Sequence, residues 1–164
     1  MIVYLLRHGN AEDCAPSGGD AARALTDEGR ERLQRASRGW RRVVGKVDRV
    51  LASPLLRAQQ TATIFQHAVC KDAAIDTEPG LLPDVAPLDA LVLLQSWCSK
   101  HADGVALVGH EPHLGCLLGL LLTGRERTTV PFKKGMLVAV ELDGSTAMVG
   151  RLVAALSQRI AGER

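Results

Sequence analysis

Short apolar runs alternate along the chain with longer segments in which apolar residues recur at helical spacing. Residues 2–6 are apolar strand formers and end abruptly at Arg7-His8-Gly9, which predicts a buried strand followed by a functional loop. Residues 47–52 and 105–108 have the same apolar character, and each run leads through a turn into a helical pattern. The pattern indicates a unit of strand, turn and helix that recurs along the chain.

Four segments have the spacing of helices. Thr26 supplies an amino-terminal cap for the first of them, and Pro54 and Pro112 suit the first positions of two others. The segment 78–87 contains three prolines and is expected to be irregular. The predicted helices span roughly residues 26–44, 55–70, 88–100 and 113–122.

The last part of the chain predicts a β-hairpin, with strands over residues 136–142 and 147–153 and a turn at Asp143-Gly144. Strands that alternate with helices form a largely parallel sheet with helices on both faces. We therefore predict an α/β fold, a three-layer sandwich with a largely parallel central sheet and a carboxyl-terminal hairpin. A length of 164 residues fits a single domain over 1–164, because one core commonly serves about 100–200 residues.

Composition and charge exclude several functional classes. With 46% hydrophobic and 23% charged residues, the chain has the composition of a folded globular protein. The 20 basic and 18 acidic residues leave a net charge of +2, so no global field favours nucleic acid or a membrane surface. The amino-terminal apolar run is too short for a secretion signal, and no segment approaches the roughly 18–20 apolar residues of a membrane span. We expect a cytoplasmic location.

The candidate chemistry lies at the ends of the predicted strands. Ligands of open α/β sheets bind outside the carboxyl ends of the strands, which places Arg7-His8, Ser53 with Arg57, and His110 along one edge. Two arginines and two histidines together suit a phosphoryl group, because guanidinium groups match phosphate oxygens and are always charged. For Arg7 alone, a salt bridge to a local acid is the alternative, and a carboxylate ligand is the lesser competitor.

Each histidine has a distinct predicted role. A neutral imidazole nitrogen of His8 can attack phosphorus, provided that a backbone carbonyl or a carboxylate at the other ring nitrogen fixes the ring. Gly9 would let the backbone pass close to the ligand. His110 is expected to be protonated and to donate to a phosphate oxygen together with Arg7 and Arg57. Asn10 is a candidate phosphate donor, with a simple turn role as the alternative.

Three sequence blocks resemble the histidine phosphatase (phosphoglycerate mutase-like) superfamily. They are Arg7-His8-Gly9, the run from Ser53 to Ala62 and Gly109-His110-Glu111-Pro112. The segments 7–12 and 23–29 are similar to the small phosphohistidine phosphatases of the SixA type, and the similarity extends to about residue 153. The resemblance implies His8 as the nucleophile, Arg7 and Arg57 as phosphate clamps, His110 as the second pocket histidine, and no metal or other cofactor.

The chain departs from this family at the general acid. Members often carry a glutamate in the middle of the chain that protonates the leaving group, and the position that aligns with it here is Gly80. General acid catalysis typically contributes about 10²–10⁴-fold, and an imidazole leaving group depends on it least. The departure therefore favours protein phosphohistidine as the substrate. Glu111, Glu78 and Asp84 are possible substitute acids, with loop or helix-start roles as the alternatives.

Other functions stay open at this point. The substrate could instead be a small phosphate ester or a sugar phosphate, although the chain has little spare length for the lid of a mutase. A non-catalytic phosphoprotein-binding module would keep the arginines without turnover. A zinc hydrolase built on His110 and His113 is the weakest alternative, because no third ligand is in view. The expected partners are a phosphorylated protein, for example a histidine phosphotransfer domain, or a small phosphate ester, and neither nucleic acid nor a membrane.

Overall fold

The structure is a computed structural model, and it describes residues 1–99, 102–127, 130–143 and 149–163. One six-stranded sheet forms its centre, in the order β3-β2-β4-β1-β5-β6. The strands β3, β2, β4 and β1 run parallel, whereas β5 pairs antiparallel with β1 and β6 antiparallel with β5. The strands are β1 (Ile2–Arg7), β2 (Arg49–Ala52), β3 (Ala74–Thr77), β4 (Gly104–Gly109), β5 (Leu137–Leu142) and β6 (Gly150–Leu156).

Five helices cover the two faces of this sheet. They are α1 (Asp27–Val43), α2 (Leu56–Val69), α3 (Pro87–Ser99), α4 (His113–Thr123) and α5 (Gln158–Gly162). One apolar core joins the sheet to α3 and α4, and a second core joins its opposite face to α1, α2 and α5. Strands β1, β2 and β4 each contribute to both cores, because successive side chains of a strand point to opposite faces. The predicted α/β fold class is confirmed.

The second core explains why α1 forms where the sequence predicts it. Thr26 caps the helix by accepting a hydrogen bond from the amide of Gly29, and Leu33, Ala36 and Trp40 lie on one buried face. The indole of Trp40 packs against Phe65 of α2, with ring centroids 5.6 Å apart. The amide of Thr26 donates to the carbonyl of Asn10 at 3.0 Å, which places the beginning of α1 directly behind the loop that follows β1.

Several details differ from the sequence-based expectation. Helix α2 begins at Leu56 and α4 at His113, so Pro54 and Pro112 precede the helices and do not occupy their first positions. The edge strand β3 and the short helix α5 were not predicted, because β3 is only four residues long and mostly exposed. The strands of the hairpin pair as expected, whereas its predicted turn at Gly144 lies outside the described residues.

Gly9 is required by packing, which differs from the expectation that it lets the backbone approach a ligand. A Cβ at this position would lie 2.6 Å from Leu33 Cδ1 and 3.0 Å from Leu33 Cγ, and Leu33 is completely buried. We expect Gly9→Ala to lower the free energy of unfolding by about 1–3 kcal/mol through overpacking, as measured by urea denaturation.

Gly45→Ala is the matched control, because a Cβ there would make only an ordinary contact, 3.6 Å from Tyr4 Oη. Equal stability of the two variants would contradict this account of Gly9.

Candidate active site

The pairing of β1 with β4 brings the two predicted motifs together. Arg7 is in register with Gly109, and the amide of His8 continues the ladder by donating to the Gly109 carbonyl at 3.1 Å. On the other side of β4, the amide of Ser53 donates to the carbonyl of Val108 at 3.0 Å. His8, His110 and Ser53 therefore follow three adjacent strand ends, at the edge where α/β sheets bind ligands.

His8 is buried and its ring is held in one orientation. Its Nδ1 lies 2.7 Å from the carbonyl oxygen of Gly9, and because a carbonyl only accepts, Nδ1 carries the hydrogen. The lone pair of the neutral ring is therefore on Nε2. Burial and the positive charges of Arg57, Arg7 and Lys134 together lower the pKa of His8 to about 4, although the hydrogen bond to Gly9 raises it. The imidazole is consequently neutral at physiological pH.

The ring of His110 lies beside that of His8, with centroids 5.0 Å apart. Its Nε2 is 2.8 Å from Ser53 Oγ, and its Nδ1 is buried without a hydrogen-bond partner among the described residues. Burial, His8 and Arg57 together lower the pKa of His110 to about 3. The protein groups around it therefore favour the neutral ring, which differs from the protonated ring expected from the sequence. A dianionic phosphoryl group beside the ring would raise this pKa, because an opposite charge favours the charged form.

Arg7 enters the site from the end of β1. Its Nη1 donates to the carbonyl of Phe132 at 2.6 Å, and its Nε is buried without a partner among the described residues. Burial lowers the pKa of Arg7, and the negative charge of Glu111 opposes that effect. No acidic side chain of the described residues forms a salt bridge with it. The guanidinium therefore retains donors for an anion.

Arg57 lies in the first turn of α2, and its side chain is only 7% exposed. Nη2 donates to Asp20 Oδ2 and Nη1 donates to the carbonyl of Asp20, both at 2.9 Å. Arg57 also acts on both histidines through its charge, lowering the pKa of His8 and of His110. The four residues predicted as catalytic thus surround one point at the sheet edge.

The candidate acids are engaged by the backbone. Glu111 accepts hydrogen bonds from the amides of Phe132 at 2.8 Å and Gly115 at 3.0 Å, one on each carboxylate oxygen. Glu78 accepts from the amide of Gly80 at 2.8 Å, and Asp84 is exposed. Glu78 thus caps a local turn and Glu111 the start of α4, which are the alternative roles expected for them from the sequence.

Asn10 and Ser53 have defined places in the structure. The backbone carbonyl of Asn10 accepts from the amide of Thr26 at 3.0 Å, which ties the loop after β1 to the start of α1. Ser53 bonds to His110 and orients its ring. Asn10 is half-buried and lies two residues after His8 in the chain.

Sequence reasoning missed three residues at this edge. Asp20 bonds to Arg57, Lys134 contributes positive charge beside His8, and Thr61 Oγ1 accepts from the amide of Gly9 at 3.2 Å. Thr61 lies one helical turn after Arg57, so its spacing was a usable signal. Asp20 and Lys134 lie in polar loops without periodicity, where nothing in the local sequence indicates which strand end they face.

The described residues also bear on the alternative of a zinc hydrolase. Among the described residues, no three histidine, cysteine or acidic side chains cluster in a way that could hold a metal ion. His113, the second residue of the zinc hypothesis, is buried in α4, and burial lowers the pKa of its ring.

No helix in the described parts of the chain is both long and apolar enough to cross a bilayer.

Comparison with known proteins agrees with this geometry. The family model "Histidine phosphatase superfamily (branch 1)" matches residues 3–82. The phosphohistidine phosphatase SixA of Escherichia coli is 30% identical over 147 residues, which cover 88% of each chain. The chain belongs to the histidine phosphatase superfamily. As a member of this superfamily it is a phosphatase, which confirms the resemblance that its three motifs indicate.

Solved structures extend the match to nearly the whole chain of this histidine phosphatase. The protein histidine phosphatase SixA in complex with tungstate superimposes with a TM-score of 0.87 at 26% identity, covering 97% of this chain and 98% of that one. The alpha-ribazole phosphatase of Shigella flexneri has a TM-score of 0.65 at 20% identity, covering 96% and 97%. The second comparison shows the shared fold alone.

The environment of His8 predicts an unusual titration. We expect the His8 ring to titrate near pH 4, well below the ordinary value of 6.5, in a histidine NMR titration assigned with His8→Asn. Because the unfolded chain binds this proton at higher pH than the folded chain does, the free energy of unfolding should fall as pH drops from 6.5 towards 4. A midpoint at 6.5 would show that the ring is not desolvated.

Proposed function

We propose that this phosphatase forms a covalent intermediate on His8. The observation that carries the proposal is the hydrogen bond from His8 Nδ1 to the Gly9 carbonyl, at 2.7 Å, in a ring that is buried and neutral. This bond leaves the lone pair of Nε2 as the nucleophile and removes the need for a deprotonating base. Attack on phosphorus forms an Nε2–P bond while the bond from phosphorus to the leaving group breaks.

Arg7, Arg57 and His110 bind the phosphoryl oxygens in this proposal. Their donors are fixed before the substrate arrives, since Arg7 is anchored on Phe132 and His110 on Ser53. Donors that are held in place stabilise the negative charge of the transition state without reorganisation. The negative charge of the bound group raises the pKa of His110 and so favours its donating, protonated form. Asn10, as the next polar residue after the nucleophile, is a further candidate donor.

The cycle closes with water. A water molecule attacks the phosphorus of phospho-His8, the Nε2–P bond breaks, and inorganic phosphate leaves while His8 regains its neutral form. The same cationic donors serve both steps, because the transition state of each step carries negative charge on the equatorial oxygens of phosphorus. No step requires a metal ion or another cofactor.

We further propose that the substrate is protein phosphohistidine. The position aligned with the family acid is Gly80, and the carboxylates of Glu78 and Glu111 are bonded to backbone amides. An imidazole leaving group tolerates the absence of a positioned acid, because it can take its proton from water. The SixA relatives are described as phosphohistidine phosphatases, which supports this assignment, and a histidine phosphotransfer domain is a suitable partner.

Hydrolysis of small phosphate esters or sugar phosphates is the second candidate function. The half-buried Glu78 favours it, since its carboxylate lies 3.1 Å from the point where a Cβ of residue 80 would be. From there it could replace the acid that Gly80 lacks. A non-catalytic phosphoprotein-binding role would require that the protein binds the phosphoryl group without hydrolysing it through His8.

The substrate assignment predicts a ranking of rates. We expect kcat/KM for a phosphohistidine-bearing protein to exceed that for a sugar phosphate by about 10²-fold or more, because only the ester requires general acid catalysis. His8→Ala should abolish turnover of both, as measured by phosphate release.

Glu28→Gln is the surface control, because it breaks only the exposed ion pair with Arg32. A preference for the sugar phosphate would overturn the substrate assignment. Binding of the phosphoprotein without turnover by wild-type protein would establish the non-catalytic alternative.

The role of Glu78 gives a separate prediction. If no general acid operates, Glu78→Gln should change kcat for phosphohistidine by less than about threefold, since the amide oxygen can still cap Gly80. The measurement is kcat against pH for both proteins. Loss of the alkaline limb of the profile in Glu78→Gln would instead identify Glu78 as the acid.

A further inference from the structure

The buried guanidinium of Arg57 already has an anionic partner in this chain. Asp20 contacts it twice, through Oδ2 and through its backbone carbonyl, each at 2.9 Å. The Asp20 carboxylate also acts on the pocket, since its negative charge raises the pKa of His110. The Asp20 carboxylate therefore contacts one of the cationic groups that bind the phosphoryl group in the proposed function.

The loop that carries Asp20 is closed at its two ends and contains a short turn that begins at Asp20. Residues 12–24 leave the sheet edge and return to it, closed at the neck by a bridge between Ala11 and Leu25. Gly19 has φ of 66°, a left-handed conformation that glycine adopts without strain, and the short 3-10 turn Asp20–Ala22 follows it. Asp20, the first residue of this turn, contacts Arg57.

A second cation, Arg23, also binds the Asp20 carboxylate. Its Oδ1 accepts from Arg23 Nη1 at 2.7 Å, and Arg23 is itself anchored by Nε to the carbonyl of Glu12 at 2.6 Å. The carboxylate is 59% exposed, whereas the side chain of Arg57 is 7% exposed. Asp20 can therefore leave Arg57 and remain paired with Arg23 near solvent, at little cost in desolvation.

From these contacts we infer that Asp20 is a built-in competitor of the phosphoryl group for Arg57 and thereby sets the affinity for phosphate. A bound phosphoryl group and the Asp20 carboxylate are like charges on one guanidinium, so each weakens the binding of the other. Substrate has to displace Asp20 from Nη2, and a dianionic phosphoryl group does so more readily than a singly charged anion. This inference rests on the proposed role of Arg57 as a phosphate clamp.

The test is the inhibition constant of inorganic phosphate, the product, for wild type and Asp20→Asn. Asn keeps the shape and an oxygen acceptor but removes the charge, so we expect the inhibition constant to fall about tenfold. KM for the phosphorylated substrate should fall with it. Asp13→Asn is the matched control, because it removes a charge from an exposed position of the same loop and should leave both constants unchanged.

Arg57→Ala distinguishes the phosphate-clamp role of Arg57 from the competition by Asp20. If it weakens phosphate inhibition while Asp20→Asn strengthens it, the competition is supported. If it weakens inhibition while Asp20→Asn leaves inhibition unchanged or also weakens it, Asp20 only positions Arg57, and the inference is overturned while the clamp stands. Unchanged inhibition in Arg57→Ala overturns the clamp and the inference together.

A second measurement uses wild-type protein, should Asp20→Asn fail to fold. The amide of Arg23 donates to the carbonyl of Asp20 at 3.3 Å, within the turn that Arg57 anchors. Displacement of the Asp20 carboxylate from Nη2 removes one of the two contacts by which Arg57 anchors this turn, so hydrogen exchange at the Ala22 and Arg23 amides should become faster in saturating inorganic phosphate. Unchanged or slower exchange would overturn the inference.

Discussion

The parallel pairing of β1 with β4 determines the chemistry of this protein. Arg7 and Gly109 are partners in the ladder although about a hundred residues separate them, and the residues that follow them are the two histidines of the site. A shift of one residue in the pairing of β1 with β4 would turn His8 to the opposite face of the sheet, since side chains alternate along a strand. The apolar residues of both strands prevent such a shift, because each strand is buried in two cores.

Burial lowers the pKa of both Arg7 and His8, but with different consequences for their charge. It makes protonation of His8 unfavourable and keeps its Nε2 lone pair available, while Arg7 and Arg57 remain charged because guanidinium groups do not lose their proton. The neighbouring positive charges lower the pKa of His8 further. A site with strong local positive charge therefore exists in a chain whose net charge is only +2.

A buried cation needs a partner, and the loop 12–24 provides one. Asp20 satisfies Arg57 from a position near solvent, where its own charge costs little, and Arg23 holds it there. The same contact keeps Arg57 oriented towards the pocket. In the proposed function, the orientation of Arg57 and the affinity for the phosphoryl group are thus linked through the Asp20 carboxylate.

The sequence by itself determined the fold class, the three strand-end motifs and the family to which they belong, because these depend on local periodicity and on residue types at fixed spacing. Hydrophobic spacing could not reveal β3, which is short and exposed, nor the contact of Asp20 with Arg57, since polar loop residues have no period. The low pKa values of His8 and His110 and the packing need for Gly9 were decided by tertiary structure alone. Burial and close contact depend on neighbours that are distant in sequence, so only the folded chain defines them.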